Sequence, residues 1–295
     1  MNSFNSRPFE PSSTVASPLD TLDAMPALLS NVRISGDHDS DVAPVVLVNG
    51  LLQTTQGWTG LIDILKPFAR VISYDLRFQG PNWTADELPE GENCHVSDLV
   101  ELLDFLKIER AILVGQSFGA RIALDFALRH PGRVERLVLL AAHSPVVAER
   151  YRMIINTWQQ VLPDSEQGDW FPFAQAVCPW VFGAKYLAAR PSFLQAYAKH
   201  IAAAHRPAGV RANLRVLHRV HDRERLSYYE SEESMVPALV INGEDDYLTP
   251  PAVLPAAMRV LPRATLILLP NCGHAVTEEG GYEAERRITD FLLDQ

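Results

Sequence analysis

Ala111-Ile112-Leu113-Val114-Gly115-Gln116-Ser117-Phe118-Gly119-Ala120 opens on four aliphatic residues and closes on a serine held between two glycines. The aliphatic run reads as a strand buried on both faces. The residues from Gly119 to Leu128 read as a helix that follows after a very short turn. Strand, G-x-S-x-G and helix in that order make a nucleophile elbow. The glycines have a steric reason: side chains at 115 and 119 would collide with the neighbouring strand and helix. The turn lifts the Ser117 hydroxyl above the sheet. It also brings the Phe118 N–H, at a helix N-terminus, to where a developing oxyanion would sit.

Working outward, similar apolar runs occur at Val45–Val48, Val71–Tyr74, Leu137–Leu140, Ala238–Ile241 and Thr265–Leu268. Helical patterns separate them, one from Val96 to Leu106 with Leu99, Leu102, Leu103 and Leu106 on one face. The alternation predicts a doubly wound α/β core over residues 31–145 and 236–295. Between about residues 146 and 235 the rhythm breaks. That stretch carries helical patterns, Trp158, Trp170 and Trp180, and no buried-strand run, so it is expected to be a helical cap inserted between strands. Residues 1–30, rich in Ser, Pro and Asn, are expected to be a largely disordered leader without the basic and apolar blocks of a secretory signal.

A serine is a weak nucleophile at neutral pH and needs a base. His274 lies in Leu268-Leu269-Pro270-Asn271-Cys272-Gly273-His274, after the last apolar run and before a C-terminal helix. Its imidazole titrates near physiological pH, which suits a proton acceptor. His143, just past a strand end, is expected to border the pocket, and His130 to lie at the surface. The acid should sit at another strand end. Asn242-Gly243-Glu244-Asp245-Asp246 offers three carboxylates, of which Asp246 is preferred, Asp245 is second, and Glu244 faces solvent. The order Ser, Asp, His suits this architecture. For a second oxyanion donor, Val48-Asn49-Gly50-Leu51-Leu52 offers the Leu51 N–H, with Leu52 next. Leu52, Gln116, His143, Trp158 and Trp180 are the expected pocket residues.

The chain's 295 residues, 47% hydrophobic and 21% charged, suit one soluble domain with a large core. With 26 basic and 36 acidic residues the net charge is −10, which argues against nucleic-acid binding. Cys94, Cys178 and Cys272 are widely spaced and odd in number, so neither a disulfide framework nor a zinc site is expected. The chemistry requires no metal or organic cofactor. No apolar run is long enough to span a membrane, and a cytoplasmic enzyme is expected.

At these residues the sequence resembles the α/β-hydrolase superfamily from about Val42 to the C-terminus. The resemblance implies an α/β-hydrolase fold with a Ser117, Asp246, His274 triad. The superfamily usually has His-Gly where this chain has Asn49-Gly50, and Asp-x-Arg-Gly-x-Gly-x-Ser where it has Asp75-Leu76-Arg77-Phe78-Gln79-Gly80-Pro81-Asn82. Asn49-Gly50 with Thr54, Thr55 and Trp58, together with Asn242-Gly243-x-x-Asp246, resembles the hydroxyacyl acyltransferases of rhamnolipid and polyhydroxyalkanoate biosynthesis. The elbow and its helix look more like general esterases and enol-lactonases. Three functions follow as expectations. The first is a hydrolase of carboxylic esters or thioesters. The second is an acyltransferase fed by an acyl carrier protein or coenzyme A. The third is a non-catalytic ligand-binding relative. A small-molecule acyl substrate is common to the first two.

Overall fold

In a computed structural model of the chain, the structure describes residues 30–36, 40–80, 94–142, 148–219 and 233–293. The expected leader, apart from Ser30, lies outside the described residues, as does His143. The six apolar runs are strands: β2 (Val45–Val48), β3 (Val71–Asp75), β4 (Ala111–Gln116), β5 (Val134–Leu140), β6 (Ala238–Gly243) and β7 (Ala264–Leu269). A seventh, β1 (Ser30–Ser35), carries the mixed sequence Ser-Asn-Val-Arg-Ile-Ser and no aliphatic run to announce it. It pairs antiparallel with β3, while all the other neighbours are parallel, in the order β1-β3-β2-β4-β5-β6-β7.

Side chains alternate across each strand, so a sheet covered on both faces needs apolar residues at consecutive positions. Val46 and Val48 of β2 enter one core and Val45 and Leu47 the other. Helices α1 (Thr59–Leu65) and, at the C-terminus, α11 (Gly281–Leu292) cover the second face through Leu61, Leu65, Ile288 and Leu292. Helices α2 (Cys94–Phe105) and α3 (Phe118–Arg129) cover the first through Leu99, Leu102, Leu103 and Phe126.

Between β5 and β6 run α4 (Ala148–Val161), α5 (Phe171–Val181), α6 (Ala184–Ala188), α7 (Phe193–Ala204) and α8 (Pro207–Arg219), with no strand among the described residues. Their apolar faces, including Ile155, Phe173, Val177 and Leu214, belong to the same hydrophobic cluster as the first face of the sheet. The inserted helices therefore share the core of the sheet. Two short helices, α9 (Leu254–Met258) and α10 (Val276–Glu279), complete the chain between β6 and α11. No described helix is long and apolar enough to cross a membrane.

The chain order reverses beside β2: β3 lies on one side of it and β4 on the other. Loops leaving the C-terminal ends of β2 and β4 diverge there and open a crevice, the usual ligand position in such sheets. The approach of α3 to β2 at this point is very close. A Cβ on Gly119 would lie 2.0 Å from the Val48 carbonyl oxygen. Gly119→Ala is expected to lower stability by about 3 kcal/mol, or to prevent folding. Gly132→Ala, where nothing lies within 4 Å, should be neutral. Urea unfolding of the two variants measures the contrast.

Candidate active site

Ser117 joins β4 to α3 with φ 53° and ψ −113°, a region that L-residues rarely occupy. Its N–H donates to the Leu140 carbonyl at 2.8 Å, which seats the turn on β5. Gly115 permits the turn to close, since a Cβ there would lie 2.3 Å from the Gly119 carbonyl oxygen. Ser117 is buried, and its Oγ lies 2.7 Å from His274 Nε2. The elbow is also tied to the histidine loop, because Gln116 Oε1 accepts the Thr277 N–H at 3.0 Å.

His274 Nδ1 lies 2.8 Å from Asp246 Oδ2. An ionised carboxylate only accepts, so the ring proton belongs on Nδ1 and Nε2 is left to accept from the serine hydroxyl. Asp246 is held on every side. Its Oδ1 accepts the N–H groups of Leu248 and Thr249, and its Oδ2 accepts Asn242 Nδ2 and the Thr249 hydroxyl. The three acids after β6 thus separate: Asp246 is buried on the histidine, Asp245 is half-buried, and Glu244 is exposed. Such an arrangement can take the serine proton onto the imidazole while Asp246 stabilises the cation that results.

The loop after β2 is built around a buried carboxylate that sequence reading passed over. Asp75, at the end of β3, accepts from Asn31 Nδ2, Asn49 Nδ2 and the Thr55 N–H. Burial raises its pKa, and these donors work against the rise. Asn49 Oδ1 in turn accepts the Trp58 indole N–H at 2.7 Å. The asparagine in the usual histidine position is therefore part of a satisfied buried network. Gly50 packs beside the elbow, where a Cβ would lie 3.5 Å from Ser117 Cβ. Its carbonyl accepts Gln79 Nε2 at 2.7 Å, and its N–H donates to Gln53 Oε1 at 2.8 Å. Phe118 N–H, in the first turn of α3, is free of intrahelical bonds as every helix start must be.

Gln79 and Thr249 were missed by the sequence reading. The sequence carries a partial signal for Thr249 only: it stands three residues after Asp246, one beyond the Asx-turn position that Leu248 holds. For Gln79 there was none, because its partner at Gly50 lies on another strand's loop.

A cavity of about 450 Å3 adjoins this constellation. Leu51, Leu52, Val181, Phe182, Phe193 and Tyr197 give it apolar walls, and Gln53, Gln116 and Glu278 give it polar edges. Two expected pocket residues, Leu52 and Gln116, therefore line it. Trp158 and Trp180 do not. Trp158 is buried in the packing of the inserted helices, its indole N–H donating to the Ala176 carbonyl. Trp180 lies half-buried with the Arg150 guanidinium stacked 5.3 Å over its ring. Both aromatics serve packing, as an amphipathic helix end can use them without facing a cavity.

The α/β hydrolase fold profile matches residues 43–281. The chain belongs to the α/β hydrolase fold family. It is 28% identical over 257 residues to the 2-hydroxy-6-oxo-2,4-heptadienoate hydrolase of Pseudomonas putida, covering 84% of this chain and 88% of that one. RutD of Agrobacterium fabrum, provisionally named a carbamate hydrolase, is 27% identical over 275 residues, covering 88% and 97%. Among solved structures, the enol-lactonase of Burkholderia xenovorans superposes with TM-score 0.71 at 26% identity, covering 89% of this chain and 96% of that one. These family members are hydrolases, which supports a hydrolytic enzyme.

One histidine near the elbow is neither catalytic in position nor exposed. His95 of α2 is buried, its ring edge-on to Phe118 at 5.1 Å, and Nε2 lies 3.1 Å from Asn213 Oδ1. Burial first, and then the nearby Arg77 charge, pull its pKa down to about 3. The unfolded ring protonates near 6.5, so between that pH and about 3 the unfolded chain binds the extra proton. Stability from this group is full above pH 6.5 and is lost as pH falls. Relative to wild type, His95→Gln should lose about 1.4 kcal/mol per pH unit of acid slope in that window. Urea midpoints from pH 4 to 7 test this; equal slopes would refute it.

Proposed function

We propose that the chain is a serine hydrolase that cleaves carboxylic esters, thioesters among them, through an acyl-Ser117 intermediate. The observation that carries this reading is the continuous path from Ser117 Oγ to His274 Nε2 at 2.7 Å and from His274 Nδ1 to Asp246 Oδ2 at 2.8 Å. All three residues are buried. His274 takes the hydroxyl proton as Ser117 attacks the substrate carbonyl. Asp246 fixes the ring tautomer and stabilises the imidazolium. The N–H groups of Leu51 and Phe118 hold the oxyanion. His274 returns the proton to the leaving alcohol or thiol, and water, activated by the same ring, releases the acid.

The acyl group belongs in the cavity walled by Leu51, Leu52, Phe182, Phe193 and Tyr197. Phe182, edge-on to both Phe193 and Tyr197, forms a packed aromatic wall rather than loose side chains. Such a surface favours an apolar acyl chain or ring. Hydrolysis is favoured over acyl transfer by the hydrolase names that the relatives carry.

The test is a panel of carboxylic esters, acyl thioesters, carbamates and a 2-hydroxy-6-oxo-dienoate, with mass spectrometry of the protein and quantitation of free acid. Wild type should turn over at least the apolar esters and release acid. Ser117→Ala should lose all acylation. Asp246→Asn should lower kcat by about 10⁴ by holding the wrong tautomer. Unchanged turnover in Ser117→Ala would overturn the reading. An acyl-Ser117 adduct that persists until a hydroxyl or thiol acceptor is added would replace hydrolase with acyltransferase.

A further inference from the structure

We propose that His205, at the end of α7 in the inserted helices, is a positioning residue for the oxyanion-binding peptide. The proposal rests on the reading of Leu51 N–H as an oxyanion donor. It follows from how planar trans peptides transmit orientation. In each peptide unit the C=O and the next residue's N–H point in opposite directions, so fixing one fixes the other.

The Leu51 N–H shares its peptide plane with the Gly50 carbonyl. That carbonyl accepts from Gln79 Nε2 at 2.7 Å and from the Gln53 N–H at 3.3 Å. Leu51 N–H therefore faces away from both. The Gln53 N–H shares its plane with the Leu52 carbonyl, and that carbonyl receives His205 Nε2 at 3.1 Å. The His205 bond aims the Leu52 carbonyl outward, which turns the Gln53 N–H back onto Gly50 O, which in turn aims Leu51 N–H. Two planar units link His205, 153 residues from Leu52, to the oxyanion donor.

Leu52 between them has φ +63°, in the left-handed region that leucine rarely adopts unless its surroundings hold it there. His205 is suited to hold it. Its ring is buried, and its backbone N–H is fixed to the Ile201 carbonyl at 2.9 Å. A carbonyl oxygen only accepts, so the proton of the neutral ring is on Nε2. Burial lowers the pKa of the ring to about 4, which keeps it neutral near pH 7. Nδ1 is buried and finds no hydrogen-bond partner among the described residues. The bond to Leu52 is thus the ring's one polar contact there, in a position where packing alone would favour an apolar side chain.

The experiment compares His205→Phe, which keeps a ring without a donor, with His205→Gln, which keeps a donor at similar reach. An ester turned over by wild type gives kcat and KM. A trifluoromethyl ketone of the same acyl chain reports binding of the tetrahedral oxyanion, and a fluorophosphonate reports Ser117 reactivity. The phenylalanine variant should lose about 10- to 100-fold in kcat, below the 10²- to 10³-fold of deleting a donor outright. Its KM should stay within about twofold, its ketone affinity should fall by the same factor as kcat, and glutamine should restore most of both. If the phenylalanine variant does not fold, His205→Leu, which also lacks a donor, takes its place with the same expectation. Wild-type kcat and ketone affinity in the donor-free variant would overturn the proposal. So would parallel losses in kcat, KM and melting temperature that glutamine does not rescue. Failure of the fluorophosphonate to label Ser117 in wild type would overturn the serine-nucleophile reading and this proposal with it. Normal wild-type labelling with an unaffected variant would overturn this proposal alone.

Discussion

The site depends on the distance between α3 and the end of β2. The helix comes close enough that position 119 has no room for even a methyl group beside the Val48 carbonyl. That approach makes the turn between β4 and α3 a single residue long. A one-residue turn from strand to helix forces Ser117 into positive φ, and its hydroxyl then projects over the C-terminal edge of the sheet. A longer turn would relax the serine and move it off the line to His274. The strain is retained because the surroundings fix it: the Leu140 carbonyl holds the serine N–H, and Gly115 leaves space for the returning helix.

Leu52 and Phe78 also occupy positive φ, and both lie on loops that converge on the crevice beside Ser117. The loops are held by polar groups whose charge or dipole is taken out of water. Asp75 collects three donors from β1, the β2 loop and the turn that follows it. Gln79 reaches from the β3 loop to the Gly50 carbonyl. Buried groups of this kind cost free energy unless satisfied, so the network resists any geometry but the one that satisfies it. Strain and polar burial are thus concentrated where directional accuracy matters, while the rest of the sheet is held by aliphatic packing.

This division explains what could be read from the sequence. The strands β2 to β6 were legible because burial on both faces demands unbroken aliphatic runs; the edge strand β7 carries such a run as well, although Leu266 and Leu268 are exposed. β1 was not, since an edge strand carrying Asn31 and Arg33 has no such demand. Ser117, His274 and Asp246 were legible as candidates because each sits one short turn past a strand, where spacing restricts the choice. Gln79 and His205 were not, and Thr249 only in part, because the partners that define their roles are brought near by the fold. Glutamine at 79 and histidine at 205 have no periodicity or spacing that would single them out. Trp158 and Trp180 misled for a related reason: aromatic content marks burial, and burial in a helical insertion is more often packing than pocket.

Among the described residues, the inserted helices touch the backbone of the loops after β2, β3 and β7 beside the crevice. His205 meets the Leu52 carbonyl, and Asn213 donates to the Arg77 carbonyl in the β3 loop. The Val181 carbonyl at the end of α5 accepts the N–H groups of both His274 and Ala275. Glu279 accepts from Gly183 of the insertion and from Gly273 of the histidine loop, bridging the two. Backbone contacts of this kind do not depend on the side chains that line the cavity. Substitutions at Phe193 or Tyr197 can therefore reshape the cavity while the tethers stay in place. Substitutions that shift the helices as bodies cannot, since any rigid displacement of α5 or α7 is passed through planar peptides to the His274 loop or to the loop after β2. Specificity in this fold is free to vary only within the space that leaves those carbonyls where they are.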